Sequence, residues 1–217
     1  RYISPEMAGF VFTAHWADES GDSAIPDDDN GDGWGVALRY ANEWNGVRVA
    51  GGIGYRVSRN DGTDPGDDAS ELGMSASAQH VATGIYMSGA WGYEDNDAAP
   101  GDYRDTVWNV AFGVNRKFNP MGRTNIGGYY SRWDVSNGTL GAICTGACGP
   151  GQVVLDAEAE ARAFGFTVDQ AIDAAAMEVY LQYHNVQADI TDDRGRRRAD
   201  FDSDTTHLFM TGARIKF

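Results

Sequence analysis

Apolar and polar residues alternate along most of this chain, in segments separated by stretches rich in glycine and aspartate. In the final segment, residues 205–217, this alternation places Phe209, Ala213, Ile215 and Phe217 on one face of an extended chain. Ten earlier segments share the period of two. The pattern therefore predicts eleven strands, at residues 1–4, 10–17, 34–41, 47–58, 72–80, 85–93, 106–116, 124–133, 161–168, 177–185 and 205–217.

The two phases of these segments differ in chemistry. One phase is apolar and aromatic, with Trp and Tyr near segment ends: Phe10, Phe12, Trp16, Trp34, Val36, Leu38, Tyr40, Val47, Val49, Ile53, Tyr55, Val57, Ile85, Met87, Trp91, Tyr93, Trp108, Val110, Phe112 and Val114. The other phase is polar: His15, Arg39, Arg48, Arg56, Ser75, Ser77, Gln79, Ser88, Asn109, Asn115, Glu178, Gln182 and His184. A dry core cannot bury so many polar groups without partners, so we expect the second face to contact water.

The connections alternate between short and long. Short turns are expected at residues 4–9, 42–46, 81–84 and 169–174, and long acidic stretches separate the remaining strands. This regular alternation of short and long connections is typical of an antiparallel transmembrane β-barrel, with tight turns at one rim and long loops at the other. A soluble β-sandwich also alternates, with its apolar face inward, and stays open as an alternative, as does a plugged or structural outer-membrane barrel.

Charge and hydropathy agree with a membrane wall made of strands. No run approaches 18 apolar residues, which excludes a helical span but not a strand that needs only every second residue apolar. The net charge of −15 comes mostly from acids between the segments, at residues 18–32, 61–71, 94–105 and 189–204. Such a chain repels nucleic acid, and we expect no nucleic-acid partner.

Three features of the connections are candidates for local chemistry. Cys144 and Cys148, in a glycine-rich loop, predict a disulfide rather than a metal pair, since two thiolates supply only half of a tetrahedral site. Residues 153–163 have a helical composition and predict a turn of helix. The cluster at residues 194–198 holds the bases Arg194, Arg196, Arg197 and Arg198, and either neutralises neighbouring acids or binds lipopolysaccharide phosphates.

An acidic loop resembles the first half of a calcium site. Asp28, Asn30 and Asp32 place oxygen donors at alternate positions, but Arg39 stands where the closing bidentate glutamate would be. A bound Ca²⁺ and a solvated acidic loop both stay open, and no other cofactor is expected. The four histidines lie on separate segments without a triad or metal spacing, so we expect no enzyme and no catalytic residue.

Four stretches resemble the general porins of Gram-negative bacteria, of the alphaproteobacterial type. They are residues 1–10 (RYISPEMAGF), 34–50 (WGVALRYANEWNGVRVA), 169–180 (DQAIDAAAMEVY) and 210–217 (MTGARIKF). The resemblance implies a sixteen-stranded trimeric barrel, of which this chain supplies the last eleven strands in one domain, residues 1–217. The N-terminal strands and the constriction loop would then precede Arg1, and both ends would be periplasmic. Passive diffusion of ions and small hydrophilic solutes through the outer membrane is the implied function.

Under this resemblance, wall residues of the polar phase line the pore: Arg1, Arg39, Arg48, Arg56, Glu178 and Arg214. Arg39, Arg48 and Arg56 lie on adjacent antiparallel segments and predict a basic stripe that orients solutes in its field. Local ion pairs with Glu43, Glu71 or acids of the loops are the alternative. The implied partners are two further copies of the chain, outer-membrane lipid and lipopolysaccharide, and the diffusing solutes.

Overall fold

The computed structural model describes residues 1–18, 32–58, 69–96, 103–138, 157–192 and 205–215. These residues form eleven strands in one antiparallel sheet, and the strands follow one another in chain order. The strands are β1 (Tyr2–Ile3), β2 (Phe10–Asp18), β3 (Asp32–Trp44), β4 (Val47–Ser58), β5 (Ala69–His80), β6 (Ile85–Asn96), β7 (Tyr103–Asn119), β8 (Gly122–Gly138), β9 (Ala157–Ile172), β10 (Met177–Asp192) and β11 (Thr206–Ile215). The predicted number of strands is confirmed.

Several strands are longer than the sequence pattern indicated. β7 and β8 have 17 residues each, and β9 and β10 have 16. The prediction of a helical turn at residues 153–163 is wrong for its described part, because β9 begins at Ala157 and pairs with β8 on one side and β10 on the other. The turn predicted at residues 169–174 starts later, in the 3-10 helix Asp173–Ala175, since residues 169–172 still pair with β10.

Short turns join the strands at one end of the sheet. They fall at residues 4–9, 45–46, 81–84, 120–121 and 173–176, and the second of these is an Asn-Gly hairpin in which Asn45 and Gly46 both have positive φ. Gly84 also has a positive φ, 75°, and a Cβ there would overlap the Asn115 carbonyl oxygen of β7. The turn at residues 120–121 was not among the predicted ones. The connections between these hairpins lie outside the described residues.

The pairing register separates the two faces of the sheet, because directly opposite residues of a ladder share a face. One continuous row is apolar from β2 to β7: Phe12, Leu38, Ile53, Met74, Trp91 and Trp108. Phe209, Ala213 and Ile215 of β11 pair with Tyr183, Val179 and Met177 and so share a face, as the alternation predicted. Phe217 lies outside the described residues.

The apolar face is exposed rather than packed into a core. Phe112 is 63% exposed and Phe209 70%, and among the described residues Ala163 is the one apolar side chain that is buried. All eleven strands lie in one sheet, so the described part of the chain does not form the two packed sheets of a β-sandwich. No helix in the described ranges is long and apolar enough to span a bilayer.

Candidate functional site

The polar face of the sheet is concave and encloses a cavity of about 1150 Å³ near the short-turn end. Residues from all nine strands from β3 to β11 line it, including Glu43 of β3 and Arg214 of β11. Strands this far apart in the sheet order can line one cavity only if the sheet is strongly curved. The face that carries the polar phase is therefore the inner side of the curve, and the exposed apolar face is the outer side.

Two rows of directly paired residues cross the polar face at this cavity, and many of their members line it. The first row crosses from β3 to β11 through directly paired residues: Glu43, Arg48, Gln79, Tyr86, Gly113, Gly127, Thr167, Gln182 and Met210. The second row continues from β7 to β11: Asn115, Asn125, Asp169, Tyr180 and Gly212. Within it, Asn125 Nδ2 donates a hydrogen bond to Asp169 Oδ2 at 2.8 Å. The lining thus combines amides, carboxylates and phenols with apolar residues such as Val49 and Met210.

Two of the predicted stripe arginines form ion pairs with neighbouring strands. Arg48 Nε lies 2.7 Å from Glu43 Oε2 across the β3–β4 ladder. Arg56 Nη1 lies 3.7 Å from Glu71 Oε1 on β5, and its Nη2 donates a hydrogen bond to Ser58 Oγ at 3.0 Å. Both pairs belong to the local ion pairs that the sequence leaves open as the alternative to a basic stripe. At the wall, each arginine charge is largely balanced by its carboxylate partner.

Arg39 differs from its two neighbours. It lies opposite Gly52, and a Cβ on that glycine would be 3.4 Å from Arg39 Cγ, so the arginine stem rests against bare backbone. Within the described ranges its guanidinium has no hydrogen bond or ion pair. Ser75 and Asn109 line the same side cavity of about 660 Å³. Glu6 also lines this side cavity, but it forms no ion pair with Arg39, so among the described residues Arg39 is an exposed cation without a bonded carboxylate.

The three arginines follow one line along the strands. Gly52, the partner of Arg39, is midway between Arg48 and Arg56 on β4. At about 3.3 Å per residue, Arg48 and Arg56 are roughly 26 Å apart along the strand. The stripe therefore runs along the strand direction, with a balanced pair at each end and Arg39, which has no ion pair among the described residues, between them. Only the pairing register reveals this order.

The remaining predicted wall residues occupy different places. Glu178 lies directly opposite Arg214 across the β10–β11 ladder, and both line the large cavity with Asp169. Arg1 is exposed ahead of β1 and is not part of the lining of this cavity. The phenols of Tyr86, Tyr129 and Tyr180 on the inner face are not among the wall residues predicted from the sequence. Their signal was the polar phase itself, in which each of them falls.

A cluster of charges lies on the outer face, where the apolar phase was expected. Arg132 Nη2 lies 2.8 Å from Asp134 Oδ1 and 3.0 Å from Glu160 Oε2, and Arg162 pairs with the same Glu160. The pairing row places Arg132 beside Trp108, and the ring of Trp108 lies 5.2 Å from that of Tyr130. Towards the long connections, the outer surface therefore changes from aromatic to charged.

The other candidate sites lie beyond the described part of the chain. Cys144 and Cys148 are outside it, as are Asp28, Asn30 and the arginines of residues 194–198. Asp32 begins β3, but its side chain is not described. In the described ranges, no group of three or more His, Cys, Asp or Glu side chains is arranged to hold a metal ion. The disulfide and the calcium loop stay predictions.

Comparison with known proteins identifies the family. A protein-family model described as Gram-negative porin matches residues 1–192, which is most of the 217-residue chain. No curated protein sequence matches the chain. The matched region includes every strand from β1 to β10 and therefore nearly all of the curved polar face.

Proposed function

Because this chain belongs to the Gram-negative porin family and is an outer-membrane channel protein, we propose that the concave polar face of its sheet is the wall of the water-filled pore. The observation that carries this assignment is the cavity of about 1150 Å³, which residues from nine strands line with polar side chains. The opposite face exposes large apolar residues such as Phe112, which suits contact with lipid. Ions and small hydrophilic solutes pass by diffusion, and the protein performs no chemistry on them.

The wall arginines contribute unequally to the field in the pore. A balanced pair such as Arg48 with Glu43 has a weak field at a distance, whereas Arg39, which forms no ion pair in the described ranges, acts as a single positive charge. Arg39 thus contributes most of the electric field that the stripe produces in the pore. The field of Glu178 and Arg214, which lie opposite each other, is local for the same reason. Arg1 lies just ahead of β1, outside the lining of this cavity, and contributes little to the field there.

The outer surface indicates how the barrel sits in the membrane. Charged residues are costly in hydrocarbon, so the cluster of Arg132, Asp134, Glu160 and Arg162 belongs at the headgroup level, with the rings of Trp108 and Tyr130 beside it at the interface. The long acidic connections then extend outside the cell, the short turns are periplasmic, and both chain ends face the periplasm. The two arginines of the cluster suit phosphates of lipopolysaccharide.

The functional assembly in this proposal is a homotrimer. Porins generally form oligomers, and an exposed apolar face can be covered either by lipid or by sister subunits. Chemical cross-linking of the native protein in detergent tests the number of subunits. A series of cross-linked bands that ends at three subunits supports the trimer, and a series that ends at one or two contradicts it.

Conductance of the purified native protein in a planar lipid bilayer tests the pore itself. We expect discrete, long-lived current steps, grouped in threes, and a salt gradient gives the ion preference from the sign of the reversal potential. Folding and insertion are checked separately by heat-dependent migration in electrophoresis and by protease protection in vesicles. A folded, inserted protein that passes no current would contradict the proposal and favour a plugged barrel.

A further inference from the structure

Tyr86 of β6 covers two glycines on the neighbouring strands. Gly113 of β7 lies directly opposite Tyr86, and Gly127 of β8 lies opposite Gly113. A Cβ at Gly113 would be 2.6 Å from the Tyr86 hydroxyl oxygen and 2.7 Å from Cζ, and a Cβ at Gly127 would also overlap that hydroxyl. The phenol therefore occupies the space left by both missing side chains and rests against the wall of the barrel.

The same arrangement recurs on the inner face. Tyr180 of β10 covers its direct partner Gly212 of β11, where a Cβ would be 2.6 Å from the hydroxyl oxygen and 2.8 Å from Cζ. Tyr129 of β8 covers its partner Gly165 of β9, with 2.7 Å between a Cβ there and Cε1. A ring that rests on glycine backbone with one side presents its other side to the pore. The inner wall thus carries tyrosine rings that pack against glycine backbone and expose one face to the pore.

Tyr86 and Tyr180 line the same cavity of about 1150 Å³, together with hydrogen-bonding groups that are not used within the wall. Gln79 is the direct β5 partner of Tyr86, and Gln182 lies two residues from Tyr180 on the same face. Neither carboxamide forms a hydrogen bond within the described part of the chain. Each offers donors and acceptors side by side. Aromatic faces and unused amides therefore converge on one space.

The charges around this space are mostly balanced. Glu43 pairs with Arg48, Asp169 accepts hydrogen bonds from Asn125 Nδ2 at 2.8 Å and Thr167 Oγ1 at 3.1 Å, and Glu178 lies opposite Arg214. A site for a simple ion needs concentrated charge of one sign, which is not what the lining offers. Apolar ring faces with neutral donors and acceptors suit a ligand that is itself neutral, ring-shaped and rich in hydroxyl groups.

We propose that this cavity is a binding subsite for saccharides, in which a pyranose ring lays its C–H face on Tyr86 or Tyr180 and its hydroxyls exchange hydrogen bonds with Gln79 and Gln182. The inference rests on the proposed pore function, because a sugar must reach the cavity through the water-filled lumen. It adds a solute class: the channel retains sugars briefly while they pass, and does not merely exclude solutes by size.

Titration of the ion current with maltohexaose tests the subsite, and a polyethylene glycol of equal hydrodynamic radius serves as the control solute. The sugar should reduce the wild-type conductance saturably, whereas the glycol should lower it only in proportion to its concentration. Tyr86→Ala and Tyr180→Ala should each raise the maltohexaose concentration that gives half-maximal block by about tenfold. This change corresponds to roughly 1.4 kcal/mol in binding free energy. Tyr86→Phe keeps the ring and should stay close to wild type.

A tyrosine on the outer face provides the matched control. Tyr55, which pairs with Val36 and Leu72 on that face, should give a wild-type sugar titration as Tyr55→Ala. Normal current steps with a sugar effect equal to that of the glycol, or equal sugar titrations for wild type and both inner variants, would overturn the subsite while leaving the pore intact. Absence of current in the folded wild type would instead refute the proposed function on which it rests.

Discussion

Arg48 donates a hydrogen bond from Nε to Glu43 Oε2 at 2.7 Å, across the two strands that the Asn45-Gly46 turn joins. Arg39, on the same face of β3, has Gly52 as its opposite residue and no such carboxylate among the described residues. Three arginines of one stripe therefore divide into two that are balanced and one that is not. The sequence shows the stripe, but the distinction between its members depends on the register.

Neutralising Arg39 should shift the ion preference of the pore more than removing a whole ion pair. Arg39→Gln removes a positive charge that has no ion-pair partner among the described residues, so the reversal potential in a salt gradient should shift in the direction of greater cation selectivity. The double variant Glu43→Gln, Arg48→Gln leaves the net charge unchanged and should move it little. Arg39→Lys, which keeps the charge, should match wild type. Equal shifts of the reversal potential for Arg39→Gln and the double variant would show that Arg39 contributes no more to ion selectivity than the ion pair does.

The alternation of β7 predicts very different losses of stability for the same substitution at two neighbouring residues. Phe112 points to the outer face and Ala111 to the inner face, because their partners Gly128 and Tyr129 lie on those faces. Phe112→Lys should cost about 2–3 kcal/mol in the free energy of unfolding, since it places a cation in hydrocarbon. Ala111→Lys should cost much less. Urea titration of folding into phosphatidylcholine vesicles measures both, and similar losses would mean that the faces are wrongly assigned.

Alanine substitutions at two turn glycines distinguish the cost of backbone strain from the cost of steric overlap. Gly46 and Gly84 have φ values of 76° and 75°, but a Cβ at Gly46 meets no atom within 4 Å, whereas one at Gly84 overlaps the Asn115 carbonyl. Gly46→Ala should therefore lose about 1 kcal/mol of stability from strain alone. Gly84→Ala should lose clearly more, by the same urea titration. A loss at Gly84 no larger than that at Gly46 would contradict the close contact of the turn with β7.

Lipopolysaccharide binding should depend on the charged cluster of the outer face. Arg132→Gln and Arg162→Gln remove the two guanidiniums that pair with Glu160, and less lipopolysaccharide should remain with the detergent-purified protein. Lys117→Gln is a matched control, because Lys117 pairs with Asp173 at 3.5 Å near the short-turn end of the sheet, away from the outer leaflet. Equal retention by all three variants would exclude the cluster as a lipid contact.

Alternation alone was enough to predict the strands and the two faces. A strand that separates lipid from water must be apolar at every second position, and this requirement is visible in β4, whose predicted limits of 47 and 58 match Val47–Ser58. It could not predict that residues 157–160 extend β9 beyond the predicted strand at 161–168. Alternating Ala and Glu has a helical composition in isolation, and pairing with β8 and β10 overrides that tendency.

The parts of the site that the sequence did not predict depend on contacts between strands. Gly127 and Tyr86 are far apart in the chain and meet only because β7 brings β6 and β8 into a fixed register. The cluster around Arg132 breaks the apolar phase of β8, and the alternation carries no information on the depth at which that phase leaves the hydrocarbon. Side-chain chemistry can be predicted from the pattern, whereas partners require the register.

The most direct test of the water-filled inner face is thiol modification of adjacent residues during current recording. In a background with Cys144→Ser and Cys148→Ser, cysteine is placed at Ser88 on the inner face or at Met87 on the outer face of β6. A charged, water-soluble methanethiosulfonate reagent should reduce the current through the Ser88→Cys channel and leave the Met87→Cys channel unchanged. Modification of Met87→Cys with Ser88→Cys unaffected, or equal effects at both positions, would contradict the account.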